Sequence, residues 1–156
     1  SWIGFYLIEA PDGTLADSIA AEGEVDRSRS SMEAPQASGE PHLILAARRD
    51  KPACSPIGLH GVCGQAFREE AVRLVDDVAL LGNAYVACDP RDRSEIVIPV
   101  YRNGVLWGVL DADSHEVACF GESDIDGLSG VLRVAGLLPR ELTVRADRLR
   151  SAPPLL

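Results

Sequence analysis

Lysine is almost missing from this chain. Of its 15 basic side chains only Lys51 is a lysine, and positive charge as a whole is scarce: 24 acidic residues leave a formal charge of −9. Nucleic-acid binding needs a basic footprint on the phosphates, so that class is excluded, and an anionic membrane surface is disfavoured for the same reason. No apolar run approaches the ~20 residues needed to cross a bilayer. Cysteine is sparse too: Cys54, Cys63, Cys88 and Cys119 are all there are, and none forms a CxxC pair. The chain is therefore neither a disulfide-stapled secreted miniature nor a good candidate for structural zinc. A cytoplasmic location is expected. The chain opens on Ser1 and Trp2, not on Met. It reads as a sequence that has lost its N-terminal residues, so an organelle-targeting peptide would be invisible. What is present is ordinary for a folded chain: 156 residues, 46% hydrophobic and 25% charged, enough for one domain with a real core.

Trp2 to Ile8 is a run of aromatic and β-branched residues that predicts a buried strand. Residues 11–41 hold Ser, Glu, Asp, Gly, Pro and Ala but no aromatic, and read as a largely disordered insertion with a helical turn near Leu15 to Ala21. His42 to Ala47 resumes the sheet, Pro52 to Gly61 is a loop, and Gly61 to Glu70 is a short helix burying Val62, Ala66 and Phe67. Val72 to Val75 predicts a strand, and Asp76 to Asp92 a long loop. Ile125, Leu128, Leu132 and Ala135 recur at helical spacing within Glu122 to Leu138, with Ser123 and Asp126 as a capping box and Pro139 as the stop. Residues 139–156 read as a tail, a frayed helix followed by coil. The element order predicts an α+β fold with an antiparallel sheet of about six strands flanked by helices.

The sharpest local signal is Asn103-Gly104 between Glu95 to Arg102 and Val105 to Asp113, the signature of a type I′ hairpin. Pro99 inside the first strand points to an edge or a bulge. If Arg102 pairs with Val105 and the register runs on unbroken, Glu95 sits opposite Ala112, diagonal to Asp111 and Asp113. Three carboxylates then gather at one end of the hairpin. Crowded like charges raise at least one pKa, as suits a cation site, a metal or an acid that donates a proton. The plainer alternative is that the acids cap strand ends in water. Cys88 and Cys54 lie in loops, where a thiol is reachable by solvent. Cys63 and Cys119 read as packed small hydrophobes, the default role for any free thiol.

Trp2 to Leu7 (WIGFYL), then KPAC, GVCG, VACD, RSEIVIPV and GVLDADS, in that order, resemble the free methionine-(R)-sulfoxide reductases, which are stand-alone GAF-domain enzymes. The resemblance implies a single GAF-like domain over 1–138, interrupted by 11–41. It implies that Cys88 is the nucleophile, Cys54 its disulfide partner and Cys63 a third redox cysteine. Glu95 and Asp113 become catalytic acids that, with Asp111, also hold the substrate, and Trp2 and Tyr6 become the aromatic wall of the pocket. It implies free methionine sulfoxide as substrate, a thioredoxin-like reductant, no cofactor or metal, and a homodimer as one assembly open to it. Departures are visible. The family's N-terminal helices are missing, Cys54 and Cys63 are one residue closer than usual, and Tyr85 stands where the family has a histidine ahead of the loop cysteine. A non-catalytic GAF module that binds a ligand, or one that signals redox state through a Cys54–Cys88 disulfide, fits the same residues.

Overall fold

In the computed structural model, residues 2–15, 39–49, 53–85, 88–139 and 146–149 are described. Five strands form an antiparallel meander with one crossing: β1 (Trp2–Glu9), β2 (His42–Arg49), β3 (Val72–Val75), β4 (Ser94–Arg102) and β5 (Val105–Ser114). A sixth, β6 (Ala146–Leu149), completes the order β2-β1-β5-β4-β3-β6. β6 lies parallel to β3, so the sheet is not wholly antiparallel, and these four residues are strand where a frayed helical tail was expected. Helix α1 (Val62–Glu69) covers one face of the sheet and α2 (Glu122–Val134) the other. The start of the 11–41 segment is structured: a turn closes between Ala10 and Thr14, and Leu15 bridges back to Glu9. The expected helical turn and the rest of that segment fall outside the described residues.

Alternation on the central strands sorts the core into two layers. Ile96, Ile98, Val100, Leu110 and Ala112 point toward Ile125 and Leu132 of α2. Val97, Val109, Tyr6 and Trp2 point toward Val62, Cys63 and Ala66 of α1. The β4–β5 turn forms as expected, with Asn103 at φ 52° and Gly104 at φ 79°, both left-handed as a type I′ turn requires.

The hairpin register departs from the unbroken pairing by one residue. Arg102 faces Val105 and Tyr101 faces Leu106, but Val100 then faces Gly108, leaving Trp107 as the extra residue of a bulge. Pro99 lies beside this bulge in a central strand, not at an edge. The slip decides the site. Residues directly opposite in an antiparallel pair share a face, and a slip of one exchanges the faces. Glu95 faces Asp113 instead of Ala112, and Val97 faces Asp111. Without the bulge, Glu95 would lie on the Ala112 side, away from both aspartates.

Three other local expectations are corrected. The Asp76 to Asp92 loop contains a 3-10 helix, Val78–Ala84, whose first turn is capped by the Asp77 carboxylate accepting from the Ala79 N–H at 3.1 Å. Helix α2 starts at a Gly121 cap whose N–H donates to Asp124 Oδ2 at 2.9 Å, so Ser123 and Asp126 are not the capping pair. It also stops at Val134. Gly136 takes φ 74°, its N–H bonds to the Arg133 carbonyl and that of Leu137 to the Leu132 carbonyl, which is a Schellman end.

Candidate active site

One pocket lies between the acid-bearing face of the sheet and the N-terminus of α1. Its wall includes Trp2, Tyr6, Cys63, Tyr85, Cys88, Glu95, Asp111 and Asp113. β1 supplies Trp2 and Tyr6 because they are two strand pairs apart, with rings 6.1 Å between centroids and tilted at 44°. β1 also lies beside β5, with Trp2 directly opposite Asp113, so the aromatic wall meets the acids. The loop 53–61 forms the opposite side through Ala53, Ile57 and Gly58. It packs so closely on α1 that any Cβ at Gly64 would sit 2.2 Å from the Leu59 backbone. The Tyr6 hydroxyl donates to the Cys54 carbonyl at 3.0 Å and holds that loop to the sheet.

Cys54 and Cys88 are joined by a disulfide, with Cα atoms 5.4 Å apart. Cys63 is a free, buried thiol on α1. Its sulfur lies 3.9 Å from Glu95 Oε1, and sulfur, Glu95 and Asp111 oxygens all fall within 4.8 Å of one another. A single cation, an ammonium group or a shared proton fits among them. Glu95 Oε2 and Asp111 Oδ1 are buried and accept no hydrogen bond among the described residues. Such an oxygen is costly when charged. Burial accordingly drives the Glu95 carboxyl well above its usual range, and the charges of Asp111, Asp113 and Asp92 drive it further. Burial, with Asp92, lifts Asp111 to about 7, although the contact with Cys63 works the other way. Burial, Asp111 and Glu95 also keep the Cys63 thiol protonated. Near neutral pH this corner therefore holds at least one neutral carboxylic acid beside partly ionised ones.

The GAF-domain family profile matches residues 3–138. The chain belongs to the GAF-domain family. It is similar to the free methionine-R-sulfoxide reductase of Escherichia coli, with 38% identity over 130 residues, 82% of this chain and 59% of that protein. Among solved structures it is similar to the free methionine-R-sulfoxide reductase of Neisseria meningitidis in complex with its substrate. The identity is 31% and the TM-score 0.60, over 85% of this chain and 63% of the other. The fRMsr of Staphylococcus aureus in its reduced form gives 28% identity and a TM-score of 0.63, over 87% and 69% of the two chains. The chain spans 56–66% of the length of the curated relatives it matches.

This GAF domain brings Trp2, Tyr6, Cys63, Cys88, Glu95, Asp111 and Asp113 to a single cavity, with Cys54 bonded to Cys88 at its edge. Cys119 is elsewhere and exposed, where packing was expected. Ala118, just before it, takes the left-handed φ of 53°. One wall residue, Asp92, escaped the sequence reading, and Tyr85 entered it only as a departure from the family's histidine. Tyr85 ends the 3-10 helix that read as loop. Asp92 is buried by a fold-back in which the Arg93 N–H reaches the Ser114 carbonyl at 2.7 Å, a contact local pattern does not announce. At the cavity's Asp92, a second group forms in which Asp89, Asp92 and His115 lie within 4.8 Å of one another, but Asp89 is already forked by Arg91 at 3.0 and 2.9 Å. The N-terminus of α1 opens on the cavity at Gly61, Val62 and Cys63 with no side chain capping it, so its N–H groups can receive an anion. Among the described residues no helix is long and apolar enough to cross a membrane.

Proposed function

We propose that this GAF domain reduces free L-methionine (R)-sulfoxide to methionine. The observation that carries the reading is the Cys54–Cys88 disulfide, which lies at the rim of a cavity whose floor is three carboxylates. A sulfoxide sulfur becomes a good electrophile when its oxygen is protonated, and a neutral carboxylic acid such as Glu95 can supply that proton. In the reduced protein the Cys88 thiolate attacks sulfur. The S–O bond of the substrate breaks, methionine leaves, and the oxygen remains on Cys88 as a sulfenic acid. The Cys54 thiol then displaces it as water, forming the disulfide. The two electrons come from the two thiols, and a thioredoxin-like dithiol returns them.

The remaining features suit a free amino acid. The Asp113 and Asp111 carboxyls suit the substrate ammonium, the open end of α1 attracts its carboxylate, and Trp2 and Tyr6 pack the methyl-sulfur end. A residue inside a polypeptide has neither terminal charge. The test is turnover of racemic free methionine sulfoxide with thioredoxin, its reductase and NADPH. Consumption that stops at half of the sulfoxide supports the reading, and efficient use of a peptide-bound sulfoxide contradicts it. A redox switch that only senses oxidants through the same disulfide predicts no consumption at all.

A further inference from the structure

Three groups able to hold a divalent metal meet at the floor of the cavity, and each comes from a different element. Cys63 stands in the first turn of α1, Glu95 at the start of β4 and Asp111 on β5. Their sequence spacing announces no metal motif, because the fold assembles the set. One ligand atom from each lies within 4.8 Å of the others, and the Cys63 sulfur is 3.9 Å from Glu95 Oε1. Bonds of ~2.3 Å to sulfur and ~2.0 Å to oxygen at a tetrahedral angle bring those two atoms to about 3.5 Å around a zinc-like ion. A small side-chain movement supplies the difference.

Two further observations point to a cation. Glu95 Oε2 and Asp111 Oδ1 are buried with no hydrogen-bond partner among the described residues, and the two side chains belong to residues only 4% and 6% exposed. A native fold rarely leaves such oxygens unsatisfied without a use for them. Asp92 and Asp113 add two more carboxyls to the wall, while no lysine, arginine or histidine is found among its described residues. The neighbouring group of Asp89, Asp92 and His115 differs, since Arg91 already supplies a cation to Asp89.

We propose that Cys63, Glu95 and Asp111 form a binding site for a thiophilic divalent cation of the zinc class, with a fourth coordination position open to the cavity. The sulfur ligand selects zinc, cadmium or cobalt over magnesium and calcium, which prefer oxygen alone. Three protein ligands with one position left over is the arrangement of an open zinc site, and the cavity is its entry path. Binding sends the thiol proton to solvent, with that of either carboxyl that carries one, and no electron moves. The site does not depend on the reaction proposed above.

The test uses Cys119→Ser protein with the Cys54–Cys88 disulfide intact, in which Cys63 is the remaining thiol. Cobalt(II) is the probe. One cobalt should bind per chain with a thiolate-to-cobalt charge-transfer band in the near ultraviolet, bleached by zinc and unaffected by excess magnesium. Cys63→Ser should abolish the band. Glu95→Gln and Asp111→Asn should each weaken cobalt binding by about tenfold or more, since even partners one step removed from a metal cost that much. Should a variant fail to fold, the parent spectrum still decides, because with one thiol present the band can come only from Cys63. No band at millimolar cobalt overturns the inference, and so does a band whose affinity is unchanged in both carboxylate variants. The disulfide form has no thiolate at Cys88 to attack a sulfoxide, so either result leaves the reading of the reaction untouched.

Discussion

The two faces of one sheet are built to opposite rules. On the α2 side, β4 and β5 present Ile96, Ile98, Val100, Leu110 and Ala112, an uninterrupted apolar layer. On the α1 side the same two strands present Glu95, Asp111 and Asp113, with Cys63 and the Cys54–Cys88 disulfide above them. The residues of the two faces alternate one by one along the chain, so a single residue of slip separates packing from chemistry. Buried carboxylate oxygens left unsatisfied, as Glu95 Oε2 and Asp111 Oδ1 are among the described residues, destabilise a fold, and the apolar face offsets that cost. The difference teaches that stability and reactivity are held on separate sides, joined only through strand register.

This separation can be broken from either side. The largest effect is expected from Cys88→Ser, which should reduce multiple-turnover NADPH consumption to the blank rate while the fold persists. Cys54→Ser should come next: recycling by thioredoxin fails, yet a single equivalent of methionine still forms. Asp111→Asn, which removes a carboxyl that holds the substrate ammonium, should lower turnover at limiting substrate by ~10- to 100-fold. It should also change the pH dependence of stability, and the sign follows from the raised pKa. From the usual carboxylate value of 3.8 up to about 7, native Asp111 holds a proton that the unfolded chain has lost. Its contribution is thus fully present below that window and is lost as pH rises through it. Denaturant titrations of the wild type between pH 4 and 7 should show stability falling with pH, and the Asn variant should show a flatter profile. On the other face, fully buried Ile98→Ala should cost about 2–5 kcal/mol of unfolding free energy, leaving the turnover per folded molecule near wild type. An equal loss of turnover in the Ile98 and Asp111 variants would refute the division between faces.

The elements were largely legible because each carries a local signal. Alternation and β-branched runs gave β1 through β5 to within two residues at each end, and Asn103-Gly104 gave the hairpin turn. The site residues were legible as types and only partly as an arrangement. Nothing around Trp107 announces a bulge except Pro99 nearby, and the bulge is what places Glu95 across from Asp113. The end of α2 was missed although Gly136 was visible, because Leu137 and Leu138 continue an apolar pattern past the helix. β6 was missed because a four-residue parallel strand is defined by its partner β3 and not by its own sequence. Tyr85 and Asp92 depend on how loops fold back, which is tertiary information.

The most direct measurement is a single-turnover experiment without a recycling reductant. Fully reduced protein is mixed with excess free methionine (R)-sulfoxide, quenched with an alkylating agent and mapped by peptide mass. One methionine per chain should form, together with one disulfide joining Cys54 to Cys88, while Cys119 is alkylated. Methionine released with both of those thiols still free, or no methionine at all from folded protein, would contradict the assignment of this pair of sulfurs to sulfoxide reduction.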